Sequence, residues 1–200
     1  MKGESIAFGV AGILFGLIAG WIIGTQYEPA NETPVTAAAP AAANTANQPP
    51  PLDEAKVTAF RSVAEREPTN AAPRAQLGDL YFNAERFDEA VKWYEEAFKL
   101  SASDVRVSTQ LGMAYYYTNQ TDRALQQLDR SAKIDPKHAE TWLNIGFVRA
   151  FGKQDLPGAE EAWQQVVKIA PEGPEGQAAK RALESLRSAH AGGAAAAKPQ

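Results

Sequence analysis

Apolar and polar positions divide the chain into regimes with different periods. Ile6 to Gly24 is apolar throughout, with no charge and no proline. Residues 25–51 are rich in Ala, Pro, Thr and Asn, end in Pro49-Pro50-Pro51 and have no apolar periodicity. Helical spacing begins at Leu52: up to Glu67, Val57, Phe60, Val63 and Ala64 share one face. Asp53 and Glu54 suit the first turn of that helix, because acids there complement the helix dipole. From Pro174 to Ala189 a second amphipathic stretch places Ala178, Ala182, Leu183 and Leu186 inward and Lys180, Arg181, Glu184 and Arg187 outward.

Between these stretches, Ala71 to Glu172 repeats a frame. A Leu-Gly or Ile-Gly pair recurs at Leu77-Gly78, Leu111-Gly112 and Ile145-Gly146, 34 residues apart each time. An aromatic follows at Tyr81 and Tyr115, and an alanine opens the second half at Ala90, Ala124 and Ala159. A large apolar residue sits four later, at Tyr94, Leu128 and Trp163, and prolines close at Pro68, Pro136 and Pro171. A fixed period of this length signals a solenoid of stacked units. The small residues let two helices approach, the large ones fill the space between them, and proline marks where a helix cannot continue. The frame predicts helix pairs near 71–84 and 88–101, near 105–118 and 121–134, and near 139–152 and 156–170. The third copy has one extra residue, expected in the turn near Pro157-Gly158. Arg149 replaces the aromatic and Ala102 the proline, so the third opening helix is expected to be imperfect.

These residues resemble the tetratricopeptide repeat (TPR) family, a helix–turn–helix unit of 34 residues. The resemblance covers three full repeats, about 71–104, 105–138 and 139–172. It implies an all-α fold, a right-handed TPR superhelix with a preceding half-repeat helix and a C-terminal capping helix. The expected TPR domain is 52–190, since the ends of a stack need covers; residues 191–200 are expected to be a disordered tail.

The family resemblance further implies that the first helix of each repeat lines a concave groove for partner peptides. Carried over, the groove positions are Gln76, Asp79, Phe82 and Asn83, then Arg106, Thr109, Gln110, Met113, Tyr116 and Tyr117, then Glu140, Leu143, Asn144, Phe147 and Phe151. The aromatics and Met113 are interface-type residues. Gln76, Gln110 and Asn144 could bond a peptide backbone. Some members clamp a terminal carboxylate with Lys and Asn. The matching positions here are Ala75, Asp79, Gln110, Glu140 and Asn144, so no such clamp is expected and an apolar or aromatic polypeptide stretch fits better.

Residues 6–24 span roughly 28 Å as a helix, close to the hydrocarbon core of a bilayer. Residues 1–24 therefore read as a transmembrane anchor. The rival, a cleaved signal peptide, has a shorter apolar region and small residues at its end, where this run ends Trp21-Ile22-Ile23. Lys2 precedes the helix while Glu28 and Glu32 follow it, which puts the N-terminus in the cytoplasm and the repeats in the periplasm. Gly12, Gly16, Gly20 and Gly24 recur every four residues, a small-residue stripe suited to self-association or to docking on another membrane helix. Residues 25–51 read as a disordered spacer.

Net charge is −4 with pI about 5.3, against nucleic-acid binding through phosphates. With no cysteine there is no disulfide or thiolate chemistry. Gly146 to Lys153 loosely resembles a phosphate loop, with one residue too many between its glycines and Gln154 where Ser or Thr belongs. His138 and His190 are the two histidines, without metal spacing or a neighbouring nucleophile. Glu95-Glu96 and Glu160-Glu161 are expected on solvated faces. No cofactor, metal or catalytic residue is expected. The reading is a membrane-tethered TPR scaffold of the bacterial envelope that binds other polypeptides. The alternative is a structural subunit held in a membrane complex by its glycine-rich helix. A cytosol-facing import receptor is disfavoured by the missing clamp, and an enzyme comes last.

Overall fold

The computed structural model describes residues 50–196, with side chains to residue 189. The predicted anchor at 6–24, its glycines Gly12, Gly16, Gly20 and Gly24, and nearly all of the spacer lie outside the described residues. Among the described residues no helix is long and apolar enough to cross a membrane.

Eight α-helices follow one another, with no strand among the described residues: α1 (Glu54–Arg66), α2 (Ala72–Asn83), α3 (Phe87–Leu100), α4 (Val105–Tyr117), α5 (Thr121–Ile134), α6 (Ala139–Phe147), α7 (Leu156–Ile169) and α8 (Pro174–Ala196). A π-helical segment, Val148–Lys153, extends α6. The hairpins are α2/α3, α4/α5 and α6/α7, with α1 and α8 at the two ends, a TPR superhelix-like fold. Aspartates start three helices: Asp53 accepts from the Lys56 N–H, Asp104 from Val107 and Asp155 from Gly158, each at 3.0 Å. Each satisfies an N–H that the helix cannot bond itself.

The repeating frame is the core. Leu77, Leu111 and Ile145 are buried, as are Ala90, Ala124 and Ala159. Each frame glycine lies under the large residue of its own hairpin. A Cβ on Gly78 would meet Tyr94 at 2.5 Å, on Gly112 Leu128 at 2.7 Å, and on Gly146 Trp163 at 2.3 Å. Only a hydrogen fits there, so the glycine sets how closely each pair packs.

Arg74 fixes α1 to the stack. Its guanidinium donates to the carbonyls of Ala64 (3.1 Å), Glu67 (3.3 Å) and Asn70 (2.9 Å), and lies 3.3 Å from Glu96 of α3. A cation at a helix C-terminus satisfies carbonyls that lack intrahelical donors. At the other end Ala179 and Leu183 of α8 are buried against Trp163 and Val166. This helix runs to Ala196, beyond the Ala189 end expected from sequence and into the segment expected to be a tail. Ala191, Ala194, Ala195 and Ala196 favour helix strongly enough to outlast Gly192-Gly193.

The extra residue of the third repeat is not in the turn near Pro157-Gly158. Each hairpin turn has one left-handed residue: Glu85 (φ 55°), Asn119 (φ 61°) and Gln154 (φ 57°). Each lies five residues before its frame alanine, so the turns have equal length. The residue after each bonds back into the preceding helix: Arg86 N–H to Tyr81 O and Gln120 N–H to Tyr115 O, but Asp155 N–H to Arg149 O, one residue longer. The insertion therefore sits within the opening helix, where the π-helical segment absorbs it. The turn resists because its left-handed residue and back-bond define a closed ring, while a helix can widen locally.

Candidate functional site

Rings on the opening helices and their turns form a continuous row. Phe87 stacks on Tyr117 at 4.5 Å between centroids, and Phe82 meets both, at 5.2 and 5.6 Å. Tyr117 then meets Tyr116 at 5.4 Å, Tyr116 meets Phe147 at 5.3 Å, and Phe147 meets Phe151 at 4.8 Å. Most contacts are edge-on or tilted, the arrangement favoured by ring quadrupoles. Phe82, Phe87, Tyr116, Tyr117 and Phe147 are half-buried, and Phe151 is 42% exposed. The row rests on the core on one side and meets solvent on the other. Burial, then Tyr116 and the Glu85 charge, push the Tyr117 phenol up to about 12.

A polar row precedes the rings along the same helices. Asp79 accepts from the Tyr94 hydroxyl at 2.7 Å and from Arg106 at 3.0 and 3.1 Å, joining the first repeat to the second. Burial and the Asp79 carboxylate drive the Tyr94 phenol far above its ordinary value, so it remains a donor. Gln110 donates to Glu140 at 3.1 Å, joining the second repeat to the third. The His138 Nε2 lies 4.0 Å from the other Glu140 oxygen. Burial raises the Glu140 carboxyl above the ordinary carboxylate range.

Most of the predicted groove residues thus belong to these two rows. Phe82, Tyr116, Tyr117, Phe147 and Phe151 share the aromatic row. Asn144 is half-buried on the α6 stripe between Glu140 and Phe147, and Gln76 is exposed on α2. Four placements differ from a simple peptide-facing role. Met113 is 7% exposed and belongs to the core. Thr109 is fully buried and shares a 2.7 Å hydrogen bond with Thr141. Asp79 and Gln110 already hold intramolecular partners.

Sequence reasoning missed Phe87, because it starts a closing helix and lies outside the carried-over positions. It also missed Glu95. Expected in solvent, Glu95 accepts from the Tyr115 hydroxyl at 2.7 Å and from Arg123 at 3.0 Å, while Arg123 covers the Tyr115 ring at 4.1 Å. Gly146 to Lys153 is helical, with Gly146 under Trp163 and Gly152 against Tyr116 and Thr121, so it cradles no phosphate. No cluster of His, Asp or Glu among the described residues could hold a metal.

Family models described as TPR repeat and tetratricopeptide repeat match residues 78–118 and 105–138. Hsp70-Hsp90 organizing protein 3 of Arabidopsis thaliana is 26% identical over 127 residues, 63% of this chain but 23% of that protein. The chain therefore spans under a quarter of that relative. TPR repeat-containing protein PA0015 of Pseudomonas aeruginosa is 34% identical over 77 residues, covering 38% of this chain and 72% of that one. Among solved structures, the Sgt2 TPR domain of Aspergillus fumigatus aligns with TM-score 0.57 at 20% identity, over 65% of this chain and 85% of its own. The first TPR of Spaghetti (RPAP3), described as bound to the HSP90 peptide SRMEEVD, aligns with TM-score 0.55 at 20% identity, over 61% and 94%. Three hairpins with one glycine-centred frame, together with these matches, place the chain in the tetratricopeptide repeat family.

Proposed function

We propose that this chain is a membrane-tethered TPR adaptor that holds a segment of another polypeptide along α2, α4 and α6. The observation that carries this reading is the unbroken aromatic row across all three repeats. The core does not require it, because Tyr94, Leu128 and Trp163 already fill the hairpins over their glycines. Rings that rest on a rigid scaffold and keep an edge in solvent are what an interface anchor needs. The RPAP3 repeat, whose structure carries a peptide, is the parallel for the mode of binding. Its acidic peptide is not the parallel for the ligand, because Asp79 and Glu140 stand in this groove.

The tether is the uncharged run Ile6–Gly24, with the repeats placed outside the cytoplasm by Lys2 against Glu28 and Glu32. The test is partner recovery from intact membranes. Tyr116→Ala with Phe147→Ala, in a variant that keeps its helical circular dichroism, loses the partner. Full recovery removes the groove from the function. Protease protection on intact cells reads which side the repeats occupy.

The four spaced glycines favour a second reading, a subunit seated in a larger complex through its membrane helix. Exchanging residues 6–24 for an unrelated span leaves the adaptor working and disables the subunit.

A further inference from the structure

We propose that the occupant of this groove is a basic apolar segment: a Lys or Arg set against Glu140, about three residues from the aliphatic or aromatic side chains that cover the ring row. The inference rests on the groove reading above and names its ligand.

The two groove carboxylates differ in what they already hold. Asp79 is committed, with Arg106 on both oxygens and the Tyr94 hydroxyl on one. Glu140 has an amide, Gln110, on one oxygen and an imidazole at 4.0 Å from the other. An amide brings no formal charge, and the imidazole brings one only when protonated. Glu175 adds further negative potential at Glu140, as Glu85 does beside Tyr117. Arg106 acts on Glu140 through space and is itself hydrogen-bonded to Asp79. Lys153, at the far end of the ring row, is paired with Asp122. The site therefore offers a partly desolvated carboxylate whose hydrogen-bonded partner is a neutral amide, next to rings that favour apolar contact. A charge-assisted hydrogen bond from a ligand cation is the group that completes it.

The spacing follows from the helix. Glu140, Asn144, Phe147 and Phe151 share one stripe, and the seven residues from Glu140 to Phe147 rise roughly 10 Å. An extended segment covers that in about three residues at ~3.3 Å each. An acidic segment would meet Glu140, Glu175 and Glu85 instead.

The test uses the full-length chain and three fluorescent synthetic peptides of identical length. All share the same Leu and Phe positions and differ only in carrying Lys, Ser or Glu at the third residue away. Fluorescence anisotropy should give about tenfold tighter binding for the Lys peptide than for the Ser peptide, with the Glu peptide weakest. Added salt should shrink the spread, because the preference is electrostatic. Glu140→Gln, which keeps an acceptor for Gln110, should remove most of the difference between Lys and Ser. Equal affinities, or a preference for Glu, overturn the basic specificity and leave polypeptide binding standing. Failure of all three peptides to bind a chain with intact helical circular dichroism overturns both.

Discussion

The second and third hairpins apply one frame to chains that differ by a single residue. In the second, α4 runs unbroken from Val105 to Tyr117 and turns at Asn119. In the third, α6 gives way after Phe147 to the π-helical segment, and the turn at Gln154 repeats the earlier geometry. A hairpin turn with a left-handed residue and a back-bond is the stiffer element, so the insertion is absorbed in the helix. One result is that Phe151 reaches the solvent end of the ring row and Gly152 lies against Tyr116 and Thr121. The irregular hairpin thereby extends the surface that the regular ones begin.

Removing one residue from each hairpin tests this most severely. Deleting Gly152 restores the 34-residue spacing, so the opening helix should become regular and the protein should keep cooperative unfolding near its original temperature. Deleting Thr118 breaks a frame that was already regular and removes a hydroxyl that bonds Ala114 O at 3.0 Å. That deletion should cost more than about 3 kcal/mol, because buried positions of α4 or α5 lose their register. Thermal melts of the two deletions decide it; equal losses would mean the third hairpin is not the one carrying the extra residue.

A smaller effect distinguishes the glycines. Gly146→Ala drives a methyl into the Trp163 indole, which also donates to Leu143 O at 3.2 Å, and should cost about 2 kcal/mol as overpacking. Gly112→Ala meets Leu128 Cγ at 2.7 Å, a longer approach than the 2.3 Å to the Trp163 indole. Its helix-propensity gain of up to ~1 kcal/mol should offset part of the strain, so it should cost less than Gly146→Ala. Urea unfolding of both variants gives the order.

The turns provide a gain. Glu85 and Gln154 hold left-handed backbone with full side chains, so Glu85→Gly and Gln154→Gly should each stabilise by about 0.5–1 kcal/mol. Asn119→Gly should gain less, since Asn tolerates that conformation. The same unfolding experiment measures all three, and a loss at any of them would mean that the side chain there is needed.

The smallest effect is at Glu140. Burial raises its folded-state pKa above the ordinary 4.5, so the folded chain holds that proton to higher pH than the unfolded chain does. Its charge therefore opposes folding as pH rises through and above that window. Glu140→Gln should raise the melting temperature slightly at pH 7. Below the ordinary carboxylate range, where Glu140 is neutral in both states, the difference should vanish.

The fold was legible because its determinants are local and periodic. Gly78, Gly112 and Gly146 announce where helices touch, and the residues four after each frame alanine announce what fills the space. The site was legible only in part. Spacing places Tyr116, Phe147 and Phe151 on opening helices, but it does not reveal that Phe87 joins them from a closing helix. Nor does it reveal that Glu95 is held by Tyr115 and Arg123, because those contacts cross between repeats. Met113 lies near the groove stripe and yet is buried in the core, which the period alone does not show. The insertion was misplaced because Pro157-Gly158 looks like a turn, whereas Pro157 stands in the first turn of α7 and the Gly158 N–H donates to the capping Asp155 carboxylate.

Site-specific photocrosslinking tests the central claim most directly. A photoreactive residue replaces Phe147 in the aromatic row or, in a second chain, the exposed Gln126 on α5, and both full-length chains are irradiated in intact membranes. The account predicts a discrete crosslinked polypeptide from position 147, competed away by the Lys-bearing peptide, and none from position 126. Crosslinks from 126 alone, or equal and uncompeted yields from both positions, would contradict it.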